Sequence, residues 1–381
     1  MEQNLAQSSV EHVAGDLAFA VAGSADDQDI RRLLRENPTD GWIRLSFERE
    51  PDAFAAPAVM GPHHGYIIAR ERDTGTAIGI CEYSARNAFI DGDVRLLGYL
   101  GALRVALSHR HRVRVLKGGF AAVRRLLHHP LATDYALTAI AVENKQAQRI
   151  LGANLPDMPI YRPLETFSTF ALLPRNASAM PIQVKPATRE DLPALAACLE
   201  RAYRRYQFSP VWRARDLVNP AVCPGLSPGD FLVVRQGPRI VACVGLWDQN
   251  GFKQTVVRGY ERRLAVLRPL VNLAAPVLRM PRLPEIGHPL RQVYLSHLAV
   301  EADDPHLFAA MLDSALAEAR RRGYALALTG LATRHPLAAI ALSRYRPREY
   351  RTLLYLVEWG GGRGLPTKPG AALPHVEIAT L

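Results

Sequence analysis

"YLGALRV", Tyr99–Val105, returns in the second half of the chain as "YLSHLAV", Tyr294–Val300. Each is a short, mostly apolar run of the kind a buried central strand needs. The correspondence extends outward in the same order. "FAVAGSADDQDIRRLL" (Phe19–Leu34) matches "IQVKPATREDLPALAACL" (Ile182–Leu199), and "LTAIAVENKQAQRIL" (Leu137–Leu151) matches "LTGLATRHPLAAIAL" (Leu328–Leu342). "YRPLE" at Tyr161 matches "YRPRE" at Tyr345, and the proline in each predicts a turn. The chain is therefore a duplication.

Each half reads as strand, helix, two strands, a long central strand, helix, strand, helix and final strands. The helix entries carry Ser24-x-x-Asp27 and Thr188-x-x-Asp191, a capping hydroxyl followed by an acid in the dipole-positive first turn. In the first half "GYIIARE" and "TAIGICEYSA" are β-rich runs joined by "RDTG". After the central strand, Leu116, Phe120, Val123 and Leu127 make one apolar helix face. The small-residue, proline-bounded stretch "PRNASAMP" (Pro174–Pro181) marks the seam. The expected organisation is a domain over 15–174, a second over 182–359 with a helical insertion at 258–289, and a Gly/Pro-rich, loose tail over 360–381. The insertion is apolar enough to serve as a lid, a dimer contact or the wall of an acyl pocket.

A chain of 381 residues fits two cores. The net charge of +11 points to anionic ligands or surfaces without saying which. Cys81, Cys198, Cys223 and Cys243 stand far apart, with no paired spacing and no histidine cluster. Neither a metal site nor a disulfide framework is indicated, and a reducing cytoplasm is the expected compartment. No signal peptide is recognisable at the start. The most apolar stretch, Leu264–Met280, is broken by Arg268, Pro269, Asn272 and Pro276, so no membrane span is expected.

The turn after the first central strand lies within "LRVALSHRHRVRVLKGGF" (Leu103–Phe120). From Val94 to Thr133 the chain has no Asp or Glu, while Arg104, Arg110, Arg112, Arg114, Lys117, Arg124 and Arg125 gather there. A helix N-terminus collects unpaired N–H groups and a positive dipole end, so this is the layout of a phosphate site. The corresponding turn of the second half, "VEADDPHLF", carries Glu301, Asp303 and Asp304, which repel a phosphate.

This order of elements, with these motifs, resembles the GNAT superfamily of acyl-CoA N-acyltransferases, here as a tandem pair covering about residues 15–360. The resemblance implies an α/β (α+β) fold in which each half is a mixed, mainly antiparallel sheet flanked by helices. It also implies acetyl-CoA, or another acyl-CoA, as co-substrate. On the family's R/Q-x-x-G-x-G/A motif Arg110 takes the first position, while Val113 and Val115 stand where glycine is usual. His111, Arg112 and Arg114 complete that loop. Leu103, Arg104 and Val105 fall where the family's splayed strand meets the pantetheine, and Asn144 and Ala147 fall on its N-x-x-A motif. An N-cap is the competing role for Asn144. The second half, with its acidic turn, is expected to be degenerate and to shape the substrate cleft.

Amine acylation needs a proton removed from the ammonium and one returned to the thiolate. Glu82, the only carboxylate in its strand, is the candidate base, and Tyr99 and Tyr135 are candidate acids. The family's usual tyrosine position holds Leu151. Ser296 and His297 are adjacent on a strand, and alternation would place them on opposite faces. The expected acceptor is a small-molecule or peptide amine, with no nucleic acid, no metal and a possible homodimer. A non-catalytic binding or regulatory protein of the same fold is the alternative.

Overall fold

The structure is a computed structural model and describes residues 12–39, 41–55, 59–126, 133, 135–176, 181–275, 282–359 and 372–381. The first half contains β1 (His12–Ala14), β2 (Leu17–Val21), α1 (Asp27–Glu36), β3 (Ile43–Glu48), β4 (His63–Glu71), β5 (Ala77–Ile90) and β6 (Asp93–Val105). It continues with α2 (Val113–Leu126), β7 (Tyr135–Ala141), α3 (Lys145–Leu151) and β8 (Ile160–Leu172). The second half begins with β9 (Lys185–Pro186), α4 (Leu192–Tyr203), β10 (Ser209–Pro210), β11 (Phe231–Gln236), β12 (Arg239–Trp247), β13 (Gln254–Tyr260) and α5 (Arg262–Ala274). β14 (Gln292–Val300), α6 (Pro305–Arg321), β15 (Leu326–Ala332), α7 (Pro336–Ile340) and β16 (Arg348–Glu358) complete it.

One sheet runs through both halves in the order β1-β2-β4-β5-β6-β7-β16-β8-β15-β14-β12-β11-β9, with β10 added against β5. It is antiparallel except where β6 meets β7 and β14 meets β15. The centre of the sheet is an exchange of last strands. β16 of the second half lies between β7 and β8 of the first, and β8 lies between β16 and β15. A separate two-stranded ribbon, β3 with β13, also joins the halves.

Burial explains which residues form which layer. β5 is buried on both faces along most of its length, so its polar residues lie inside the protein. Side chains of α1 pack on one face of the first half, with Tyr66, Ile68 and Ile80. Those of α2 pack on the other face, with Phe19, Ile67 and Ala69. In the second half α4 and α6 likewise take opposite faces. Phe120 and Val123 of α2 are buried as its apolar face predicts, while Leu127 lies outside the described residues. Gly118 lets α2 approach the sheet: a Cβ there would stand 2.2 Å from the Phe19 ring.

The duplication is visible in the backbone itself. Ala102 on β6 and His297 on β14 both have positive φ, 44° and 52°, and each stands beside a register shift in its strand pair. These are the positions that "YLGALRV" and "YLSHLAV" align. Beyond Tyr99↔Leu137 and Tyr294↔Leu328, the parallel pairs β6·β7 and β14·β15 stop pairing and their strands splay.

Three expectations need correction. In the first helix entry the box is Gly23 with Asp26 rather than Ser24 with Asp27, because Gly23 N–H donates to the Asp26 carboxylate at 2.8 Å. In the second, Thr188 N–H donates to Asp191, as read from the sequence. "YRPLE" is not a turn: it lies within β8, and Pro163 sits at a bulge opposite Tyr355, where a ladder N–H is not required. "YRPRE" is a turn, with Arg346 at φ 47° before Pro347. Residues 372–381 of the supposed loose tail are packed, with Val376, Ile378 and Ala379 all buried. They were unreadable because their apolar residues are too few and too closely spaced to show a period.

Candidate functional site

The turn between β6 and α2 makes a 3₁₀ segment at Leu107–His109 and then enters the helix at Val113. Among the described residues, no acceptor takes the N–H groups of His111, Val113 and Arg114. Val113 and Arg114 are first-turn donors at the positive end of the α2 dipole, and His111 lies just before it. Neither valine obstructs them. Val115 is buried against Gly79, Val113 lies on the surface, and neither has a positive φ that would require glycine.

The arginines play a different part from the one the sequence suggested. Arg112 and Arg114 bridge to Asp16 at 3.3 and 2.9 Å, tying the loop to the β1–β2 turn. Arg110 donates to the Asn37 side chain at 2.9 Å, beyond the C-terminal end of α1. His111 is exposed, and the buried neighbour His109 pairs with Glu71 at 3.0 Å. Asn144 caps α3 by accepting from Ala147 N–H at 3.0 Å, which commits its carbonyl and leaves its amide nitrogen exposed. Leu103 and Val105 line a narrow apolar pocket beneath α2 with Val115 and Phe120, and the Arg104 backbone closes one side of it.

The second half shows the same corner closed. Asp304 caps α6 by accepting from His306 N–H at 2.7 Å and Leu307 N–H at 3.0 Å. A carboxylate of the chain itself thus occupies the donors that stay free at α2.

Glu82 lies deep in the junction of the halves, only 1% exposed. The strand that carries it is covered on both faces, so alternation did not reveal its burial. Gly101, its β6 partner, sits beside the Ala102 bulge; a Cβ there would stand 3.0 Å from the Tyr99 ring and 3.7 Å from Glu82 Oε2. Arg49, which follows β3, approaches Glu82 at 3.9 Å. Glu82 Oε1 has no hydrogen-bond partner among the described residues. A buried carboxylate oxygen left unpaired is costly, and such groups mark places where a ligand completes the bonding.

Other groups converge there, and of these the sequence singled out only Tyr99. The Tyr66 and Tyr99 hydroxyls are held protonated by burial and by the Glu82 charge. Lys253, just before β13, is pushed down to about 7 by burial and the Arg49 charge, against the pull of Glu82 and Glu377. Its ammonium lies 5.2 Å from the Tyr294 ring centroid. Arg49, Tyr66, Lys253 and Tyr294 arrive from four elements distant in sequence, and only the β3·β13 ribbon brings two of them together. No sequence period carries that pairing.

At the Glu82 position of the second half stands Gly245, and its space is filled by Phe231 and Ser296. The splay between β14 and β15 is taken by the chain's own residues. Glu377 accepts from His297 N–H at 2.7 Å, Gln249 donates to the Ala379 carbonyl at 2.9 Å, and the Ile378 side chain lies over Gly330. Ser296 and His297 do meet, at 2.9 Å, contrary to the alternation argument, because the positive φ at His297 interrupts the pleat. Burial holds that imidazole neutral, at about 3, and aromatic rings enclose it, including Trp212 at 4.2 Å.

Glu377 itself is 6% exposed, and burial raises its carboxyl to about 7 despite two backbone donors and the Arg86 and Lys253 charges. A folded-state value above the ordinary 4.5 means its contribution is full below 4.5 and is lost as pH rises through about 7. Glu377→Gln keeps the neutral form. The variant is therefore expected to gain about 1–3 kcal/mol on the wild type between about pH 5 and about pH 8, read by urea unfolding at both.

Among the described residues no helix is long and apolar enough to cross a membrane, and no group of side chains is arranged to hold a metal ion. All four cysteines are free thiols in the interior.

No protein-family model matches the chain, and no curated protein sequence does either. Solved structures do. Saccharomyces cerevisiae N-myristoyltransferase with bound myristoyl-CoA superposes with a TM-score of 0.59 at 13% identity, over 92% of this chain and 84% of that one. A GCN5-related N-acetyltransferase from Sphaerobacter thermophilus gives a TM-score of 0.55 at 14% identity, over 97% of this chain and all of the other. The fold is that of a tandem GNAT pair.

Proposed function

We propose that the protein is an acyl-CoA-dependent N-acyltransferase, with the first half holding the cofactor and the junction of the halves performing the chemistry. The observation that carries this reading is Glu82: a buried carboxylate with one oxygen unpartnered, beside the Ala102 bulge and within reach of Tyr99 and Arg49. The fold, shared with structures described as binding myristoyl-CoA and as a GCN5-related N-acetyltransferase, supports the reaction class.

In this reading the CoA pyrophosphate lies on the free N–H groups of His111, Val113 and Arg114. The pantetheine enters the splay between β6 and β7 along Leu103–Val105. Glu82 takes a proton from the incoming ammonium, and the amine nitrogen then attacks the thioester carbonyl directly. The C–S bond breaks as the C–N bond closes, and Tyr99, kept protonated, gives its proton to the thiolate and takes one from the attacking nitrogen, which leaves as the neutral amide. The Ala102 N–H, whose counterpart at His297 is held by Glu377, faces the developing oxyanion. The acyl group is most simply acetyl. The acceptor is a primary amine on a small molecule or peptide, and the reducing cytoplasm is the compartment.

Titration calorimetry with acetyl-CoA tests the cofactor half of the proposal. The wild type should bind, and Val113→Pro should weaken binding. Proline is well tolerated at the first helical position but removes one phosphate donor, a charge-assisted bond worth about 1.5–3 kcal/mol, or roughly 10- to 150-fold. Absence of binding by the folded wild type defeats the reading. Binding without thiol release over a broad amine panel would leave a non-catalytic binding protein.

A further inference from the structure

The helix α5 is built inside out. Among its residues none is buried, and its more sheltered positions include the polar ones. Asn272 exchanges hydrogen bonds with the Leu283 backbone at 2.7 and 3.0 Å, and Arg268 donates to the same carbonyl. The apolar side chains point outward: Val266 is 73% exposed, Leu270 63% and Leu273 78%. Trp42, hydrogen-bonded through its carbonyl to Glu261 at the start of the helix, adds an indole that is 76% exposed. A single exposed leucine needs no explanation, but a continuous outward stripe ending at a tryptophan does.

The charge around the stripe identifies what covers it. The described residues between 258 and 291 contain six arginines against Glu261 and Glu285. Arg262, Arg263 and Arg282 are exposed and form no ion pair among the described residues. A second copy of a chain with net charge +11 would bring those arginines towards their own kind. An anionic bilayer surface complements them: apolar side chains and an indole enter the acyl boundary while arginine heads remain at the phosphates.

We propose that α5 and Trp42 dock the protein on the surface of an anionic lipid bilayer, lying in the interface rather than spanning it. The placement bears on the junction site, because the β3·β13 ribbon has Trp42 and Glu261 at one end and Arg49 and Lys253 at the other. The inference rests on exposure and charge and is independent of the acyl-transfer reading.

The test is co-sedimentation of the full chain with vesicles of phosphatidylcholine alone and of phosphatidylcholine mixed with phosphatidylglycerol. Binding to the mixed vesicles only, weakened by salt, is expected. Leu270→Glu and the double variant Arg262→Glu/Arg263→Glu should each reduce it about tenfold or more. Their side chains face solvent, so circular dichroism and the melting temperature should stay unchanged. Tryptophan emission gives a local readout, since Trp212, Trp247 and Trp359 are all buried. Emission should shift to the blue on vesicles, and Trp42→Phe should abolish the shift. No binding to the mixed vesicles, or binding indifferent to Leu270→Glu, overturns the proposal. So does a dimer in light scattering that Leu270→Glu dissociates, which would give the stripe to a second copy.

Discussion

Glu82→Gln is expected to lower the acyl-transfer turnover by about 10²–10⁴-fold, the usual range for a positioned general base. The substitution preserves the shape of a side chain that has almost no room to move, and it removes only the ability to take a proton. Acyl-CoA affinity should be nearly unchanged, because the donors assigned to the pyrophosphate lie at the start of α2, on another part of the half. Arg49 loses the partner that approaches it at 3.9 Å, so some loss of stability is also expected. Two measurements separate these effects: the thermal transition reports the folded fraction, and thiol release at saturating acyl-CoA reports turnover per folded molecule. Turnover within a few-fold of wild type would remove Glu82 from the mechanism and leave an ordered water as the base.

A chain cut in the seam should fail to give two folded proteins. Residues 1–176 alone contain β7 and β8 but lack β16, which pairs with both. Residues 181–381 alone contain β15 and β16 but lack β8, which joins them. Each fragment would expose strand edges and the apolar faces of residues such as Phe170 and Leu354, both fully buried in the intact chain. Loss of cooperative unfolding and aggregation are expected for each piece, with a cooperative transition restored when the two are co-expressed. A fragment that unfolds cooperatively as a monomer would show that the exchange is dispensable.

The repeat made most of the fold legible. "YLGALRV" and "YLSHLAV" located the central strands, since two copies of one pattern carry more information than either alone. They did not locate the bulge they share, which is why alternation misplaced Ser296 and His297. The strand exchange was not legible, because the sequences of β8 and β16 do not say which neighbour each strand prefers. The site divides in the same way. The loop at Arg110–Val115 stood out by charge, yet the groups it leaves unpaired are backbone N–H donors, and Arg112 and Arg114 pair with Asp16. Glu82 was found as a lone strand carboxylate, whereas Arg49 and Lys253 carried no local signal. Their meeting depends on a ribbon between β3 and β13, which are separated by most of the chain.

The exchanged strands also constrain how such a chain could arise. A protein with only one copy of the repeat has the same unmet need: its last strand belongs in a sheet made by another copy. Two identical copies would satisfy it by trading that strand about a twofold axis, each presenting the same surface to the other. Joining them end to end keeps the closed contact while releasing the two sequences from identity. One copy could then keep an open corner at its helix, and the other could close its own with Asp304 and fill its splay with Glu377 and Ile378.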